Sequence, residues 1–178
     1  MRKTGRLQIL LEIVTILSYI IIGVTILTFL NQGVEPNKSY IGSIILAIGV
    51  TEVVEFLAMK DLVKLKNIPF IIAAVISVAL GIVVMALRVE LEIICVVWGI
   101  ASIAIQIIKM TNCGFNLLRQ PFLHSFVIII CIGEVIFSIF LIAKTVESLP
   151  WHLMYLGITL LVKAFILIIE FMIHRYQK

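Results

Sequence analysis

Five ionisable side chains stand within strongly apolar stretches of this sequence: Glu52, Glu55, Glu134, Lys163 and Glu170. In hydrocarbon, acids and amines can pair with one another, carry a proton, or hold a charged solute. Each costs roughly 3 kcal/mol or more at the centre of a bilayer unless it is paired or hydrated, so such residues are the first place to look for function. Depth separates them. Glu55 and Glu170 fall within about one turn of a predicted helix end, where a side chain can snorkel to headgroup level. Lys60 stands near the first, and His174 and Arg175 near the second. Both read as interfacial anchors, as does Glu12 near the start of the first helix.

Glu134 and Lys163 lie deeper, about 18 and about 15 Å from the same membrane face at 1.5 Å per residue. They belong to neighbouring antiparallel helices and are expected to form an ion pair facing the bundle interior. Glu52 is about 12 Å deep, three residues before Glu55 and on a similar helix face. It has no local partner, and Lys163 could serve it too, giving a Glu52–Lys163–Glu134 cluster. Such a cluster is a polar staple between helices in the simpler case and a proton-sensing element in the alternative.

The elements that must position these groups are helices. Of 178 residues, 62% are hydrophobic and 13% charged, with a mean hydropathy of +1.23; a water-facing surface needs more charge. About 20 apolar residues make one helical crossing. Six stretches qualify: Leu7–Leu30, Tyr40–Met59, Ile68–Leu87, Leu91–Ile108, Phe122–Ala143 and Trp151–Ile173. The fourth is the shortest. The first exceeds a signal-peptide core and no A-x-A-like site follows it, so it is expected to be retained. The runs are continuously apolar rather than alternating, which excludes the strands of a membrane β-barrel. The chain is expected to be a single transmembrane domain over 1–178, an all-α polytopic bundle.

The net charge of +4 is arranged for a membrane, not for nucleic acid. Ten Lys/Arg, among them Arg2, Lys3, Arg6, Lys60 and Arg175, fall on one predicted side and three, Lys38, Arg88 and Lys144, on the other. The positive-inside rule then places both termini in the cytoplasm. Cys95, Cys113 and Cys131 have no metal-ligand or redox spacing, and no cofactor is implied. Cys113 is expected in a loop and the other two as packers within spans. His124 and His152 flank spans at opposite faces, and with His174 they are too scattered for a switch. Trp151, Tyr40, Tyr155 and Tyr176 suit the interfacial aromatic belts.

The loops alternate in character. Asn31–Ser39, Arg88–Glu90 and Lys144–Pro150 are the external joints, and longer, more basic joints lie between them, so the chain reads as three tandem hairpins over about 7–59, 68–108 and 122–173. Each odd helix carries a mid-span glycine, Gly23, Gly81 or Gly133. Aligning Gly42 with Gly157 puts Gly49 on Ala164 and Glu55-Phe56 on Glu170-Phe171; helix 4 fits more loosely through Gly99 and Gln106. Small residues seven apart share a face on which another helix can approach closely. This layout, with Pro36 and Pro150 in the outer turns, resembles the HdeD-like family of bacterial acid-resistance membrane proteins over nearly the whole chain. The resemblance implies a non-enzymatic inner-membrane protein associated with acid stress.

No catalytic motif is present: no H-E-x-x-H, G-x-S-x-G or P-loop. Three functions stay open. One is a stress-related membrane protein of the HdeD-like kind. Another is a small transporter, or a transporter's substrate-binding subunit, with Glu52, Glu134 and Lys163 lining a midplane site. The third is an accessory subunit whose small-residue faces bind a second copy or another membrane protein. A dry, packed interior favours the first or third; a polar cavity reaching Glu134 and Lys163 favours the second.

Overall fold

Leu, Ile, Val and Ala dominate the chain, and in lipid their backbone amides can be satisfied only within a helix or a closed barrel. The computed structural model, which describes residues 6–33, 35–59, 68–86, 90–112 and 121–176, contains six helices and, among those residues, no strand. They are α1 (Arg6–Asn31), α2 (Lys38–Met59), α3 (Ile68–Ala86), α4 (Leu91–Asn112), α5 (Pro121–Ala143) and α6 (Thr145–Tyr176). Five are long and apolar enough to cross a membrane. The short one is α3, with 19 residues, and not α4 as expected, which runs for 22. Lys60, Lys64, Lys66, Arg88, Cys113 and Arg119 lie outside the described residues.

Local chemistry sets the visible ends. Gly33, at φ +66°, takes the left-handed turn that closes α1, its amide bonding back to the Leu30 carbonyl. Asn37 caps α2, its Oδ1 accepting the Tyr40 amide at 2.9 Å. The joint between α5 and α6 is far shorter than the expected loop Lys144–Pro150: α6 already starts at Thr145, whose φ of +21° turns the chain, and Pro150 lies inside the helix. The Phe140 carbonyl near the end of α5 accepts both the Lys144 amide at 2.8 Å and the Ser148 hydroxyl at 2.9 Å.

The helices form a closed ring in chain order. Each packs on its sequence neighbours, α6 returns to α1, and α4 touches α6 across the middle. The most extensive packing joins α2 to α3, α1 to α6 and α4 to α5, across the boundaries of the expected hairpins rather than within them. Glycines explain this. A Cβ on Gly81 would stand 2.6 Å from the Leu46 amide nitrogen, and one on Gly49 would stand 2.6 Å from that of Val78. Gly42 faces Met85 and the Gly81 carbonyl. Gly23 and Gly157 meet across α1 and α6, Gly99 meets Ser138 and Ile142 of α5, and Gly133 makes room for Tyr155. Ala164 is buried in the same core as Tyr19 and Leu160. The small-residue faces are therefore filled by this chain's own helices.

Burial is inverted relative to a soluble protein. Leu7, Ile129 and Phe165 are 69%, 64% and 62% exposed, while Glu52, Glu55 and Glu134 are 2%, 3% and 4% exposed. Apolar side chains outside and acids inside is the arrangement that a lipid solvent requires. Trp151 is exposed. Tyr155 stacks on Phe137, with its hydroxyl donating to the Ile130 carbonyl at 3.0 Å.

Overpacking a close contact costs about 1–3 kcal/mol. Gly81→Ala is expected to lower the detergent-solubilised melting temperature clearly more than Gly157→Ala, because a Cβ at Gly81 meets backbone and one at Gly157 meets the flexible end of Leu27. Val83→Ala on the lipid face is expected to change it least. Equal melting temperatures for the two glycine variants would contradict the packing described.

Candidate functional site

Four helices contribute polar side chains to one region of the interior. From α2 come Glu52 and Glu55, one turn apart; from α4, Gln106 and Lys109; from α5, Glu134; from α6, Thr159 and Lys163. They surround a cavity of about 150 Å³ whose remaining walls are largely aliphatic. A second space of about 50 Å³, reaching Trp98 and Ser102, shares Glu52, Gln106, Lys109 and Glu134 with the first.

The ion pairing differs from the sequence expectation. Lys163 does not pair with Glu134. Its Nζ lies 2.7 Å from Glu55 Oε2 and donates to the Tyr19 hydroxyl, also at 2.7 Å, with the ammonium 4.4 Å from the Tyr19 ring centroid. Tyr19 in turn donates to Glu55 Oε2 at 2.5 Å. The triad ties α1, α2 and α6 together. Ring closure is the reason: α6 packs on α1 along the Gly23–Gly157 contact, which turns Lys163 toward Tyr19 and away from α5. Glu55 is therefore not an interfacial anchor but a buried counter-ion. Glu170 is only half-buried, toward the end of α6.

Glu52 pairs with Lys109 through Oε1, not with Lys163. Its second oxygen, Oε2, is buried without a hydrogen-bond partner. Glu134 accepts a hydrogen bond from the Ser102 hydroxyl at 3.3 Å and has His152 Nε2 at 3.5 Å. Among the described residues it is the one cavity carboxylate without a lysine partner. His152 is fully buried, its ring edge-on to Trp98 at 4.7 Å between centroids, and neither ring nitrogen makes a hydrogen bond. It does not flank a span, as expected, but sits inside α6.

The sequence missed three members of the site. The span expected over Leu91–Ile108 stops one residue short of Lys109, which leaves it in a loop. His152 was placed at an interface because the predicted sixth span began at Trp151. Tyr19 gave no signal at all; a lone tyrosine in an apolar run reads as packing. For Lys109 the available clue was parity: Glu52 had no lysine of its own.

Separating the partners of a buried pair costs about 3–5 kcal/mol, because one charge is left uncompensated. Glu55→Lys and Lys163→Glu are each expected to reduce folded yield strongly, and the two together to recover most of it. The pair Glu134→Lys with Lys163→Glu is expected to show no such recovery. Size-exclusion yield of solubilised protein reads the result, and recovery in the second pair but not the first would refute the pairing seen here.

No family model matches the chain, and neither a curated protein nor a solved structure matches it.

Proposed function

We propose that this chain is a small membrane transporter, or the solute-binding membrane subunit of one, and that the charged cavity is its binding chamber. The observation that carries this is the chamber itself: about 150 Å³ of space within an apolar bundle, lined by three carboxylates and two ammonium groups from four of the helices. A bundle serving only as scaffold fills its interior to close packing with apolar side chains and keeps charge out of the hydrocarbon. Here space and charge coincide. At about 30 Å³ per molecule the chamber has room for about five waters, or for one solute of roughly benzene size.

The ten-to-three distribution of Lys/Arg supports cytoplasmic termini with α3 as the sixth crossing, and the HdeD-like resemblance supports a bacterial inner-membrane location. In that orientation the chamber lies nearer the cytoplasmic face, since Glu52, Glu55 and Lys109 stand toward the ends of α2 and α4. Binding and passage are the proposed activity, with no bond made or broken. The acid-stress role implied by the HdeD-like resemblance is a second reading, favoured by the approach of Glu134 and His152, two proton-binding groups 3.5 Å apart within the bundle.

Native cysteines provide the test. Cys131 lines the chamber, whereas Cys95 is buried in packed core. In nanodiscs, with Cys113→Ser to remove the remaining thiol, a membrane-impermeant trimethylammonium-ethyl methanethiosulfonate reagent is expected to modify Cys131 at least tenfold faster than Cys95, read by mass spectrometry. If Cys131 is as inert as Cys95, the chamber is closed to aqueous solutes and the proposal fails.

A further inference from the structure

The chamber's charges do not balance. Three carboxylates, Glu52, Glu55 and Glu134, face two lysines, and both lysines are committed: Lys109 to Glu52, and Lys163 to Glu55 and Tyr19. Glu134 is left with a hydroxyl and with His152, which stands 3.5 Å away without a hydrogen bond. An unmatched carboxylate in such surroundings takes up a proton or a cation. A second, independent observation lies beside it. Glu52 Oε2 is buried and unpartnered, on a residue that lines both the larger and the smaller space, as Glu134 does.

We propose that the junction of these two spaces is a binding site for a small organic monocation of the alkylammonium class, with Glu134 as its counter-ion and Glu52 Oε2 as a second acceptor. This deepens the transporter reading and rests on it. Competing solutes fit less well. An anion meets an excess of negative charge, with both ammonium groups already paired. A divalent metal needs several hard ligands together, and among the described residues no group of three His, Cys, Asp or Glu side chains gathers to supply them. An alkali ion needs a shell of oxygens on every side to replace its water, and nearly half of the residues lining the larger space are Ile, Leu or Val. An alkylammonium uses what is present. Its N–H groups meet the two carboxylates and its carbons meet the aliphatic wall, with Phe70 lining the larger space and Trp98 the smaller.

The test uses the intact chain in nanodiscs with n-butylammonium chloride as probe, n-butyrate as its anionic match and n-butanol as its neutral match. Binding is followed by isothermal titration and by Trp98 fluorescence in a Trp151→Phe background. Saturable binding of n-butylammonium, at least tenfold tighter than either match and weakened at least tenfold by Glu134→Gln, is the expected result. Glu52→Gln is expected to weaken it severalfold. Equal binding of n-butyrate, absence of saturation with n-butylammonium, or unchanged affinity in Glu134→Gln would overturn the assignment. The wild-type comparison stands even if a variant fails to fold. The two proposals fail separately: Cys131 labelled without n-butylammonium binding leaves the chamber and removes the cation, whereas an inert Cys131 removes the chamber first.

Discussion

Everything distinctive in this bundle follows from the cost of holding carboxylates in a medium that cannot solvate them. Desolvating an ion in hydrocarbon is tolerable only if an opposite charge or well-placed hydrogen bonds replace the lost water. Glu55 meets that condition with Lys163 and Tyr19, and Glu52 with Lys109. Each solution spans different helices, so the pairs fix which helices are neighbours. The Glu55 triad fastens α6 against α1 and α2; the Glu52 pair draws α4 toward α2 across the ring. Glu134 meets the condition only in part, and the open space lies next to it.

Close approach of the backbones is what lets these pairs form. Without a hydrophobic drive between helices in lipid, association depends on packing and on polar contacts. Gly42, Gly49 and Gly81 bring α2 and α3 to backbone contact, and Gly23 with Gly157 does the same for α1 and α6. Inward-facing side chains of α2 and α6, with those of α4 and α5, then define most of the chamber. Tight seams and an unfilled centre are thus two results of one distribution: small residues at the ring contacts, and branched or charged ones facing inward.

Much of this was legible from residue type alone. Helical class followed from run length, and the importance of Glu52, Glu134 and Lys163 from their depth in apolar stretches; all three line the cavity. Partnership was not legible. Sequence proximity favoured Glu134 with Lys163, on consecutive helices, whereas the ring gave Lys163 to a residue 108 positions away. The small-residue pattern named the contact faces correctly as faces but could not say which helix fills each one. Boundaries decided the rest. A span ended one residue early hid Lys109, and a helix begun six residues late moved His152 from the interior to the surface.

The pairing order has a consequence for how the molecule is made. Glu52 and Glu55 both lie on α2, but their counter-ions are 57 and 108 residues further along the chain. At about 5–20 residues per second of synthesis, Glu55 waits roughly 5–20 s for Lys163 to emerge. For about the first half of that interval, until Lys109 emerges, α2 carries two acids with neither lysine available. The nascent helix must then linger at the edge of the insertion machinery, where water still reaches it, or hold its acids protonated until the last helix arrives. Both acids of α2 have their counter-ions only once α6 has followed α4.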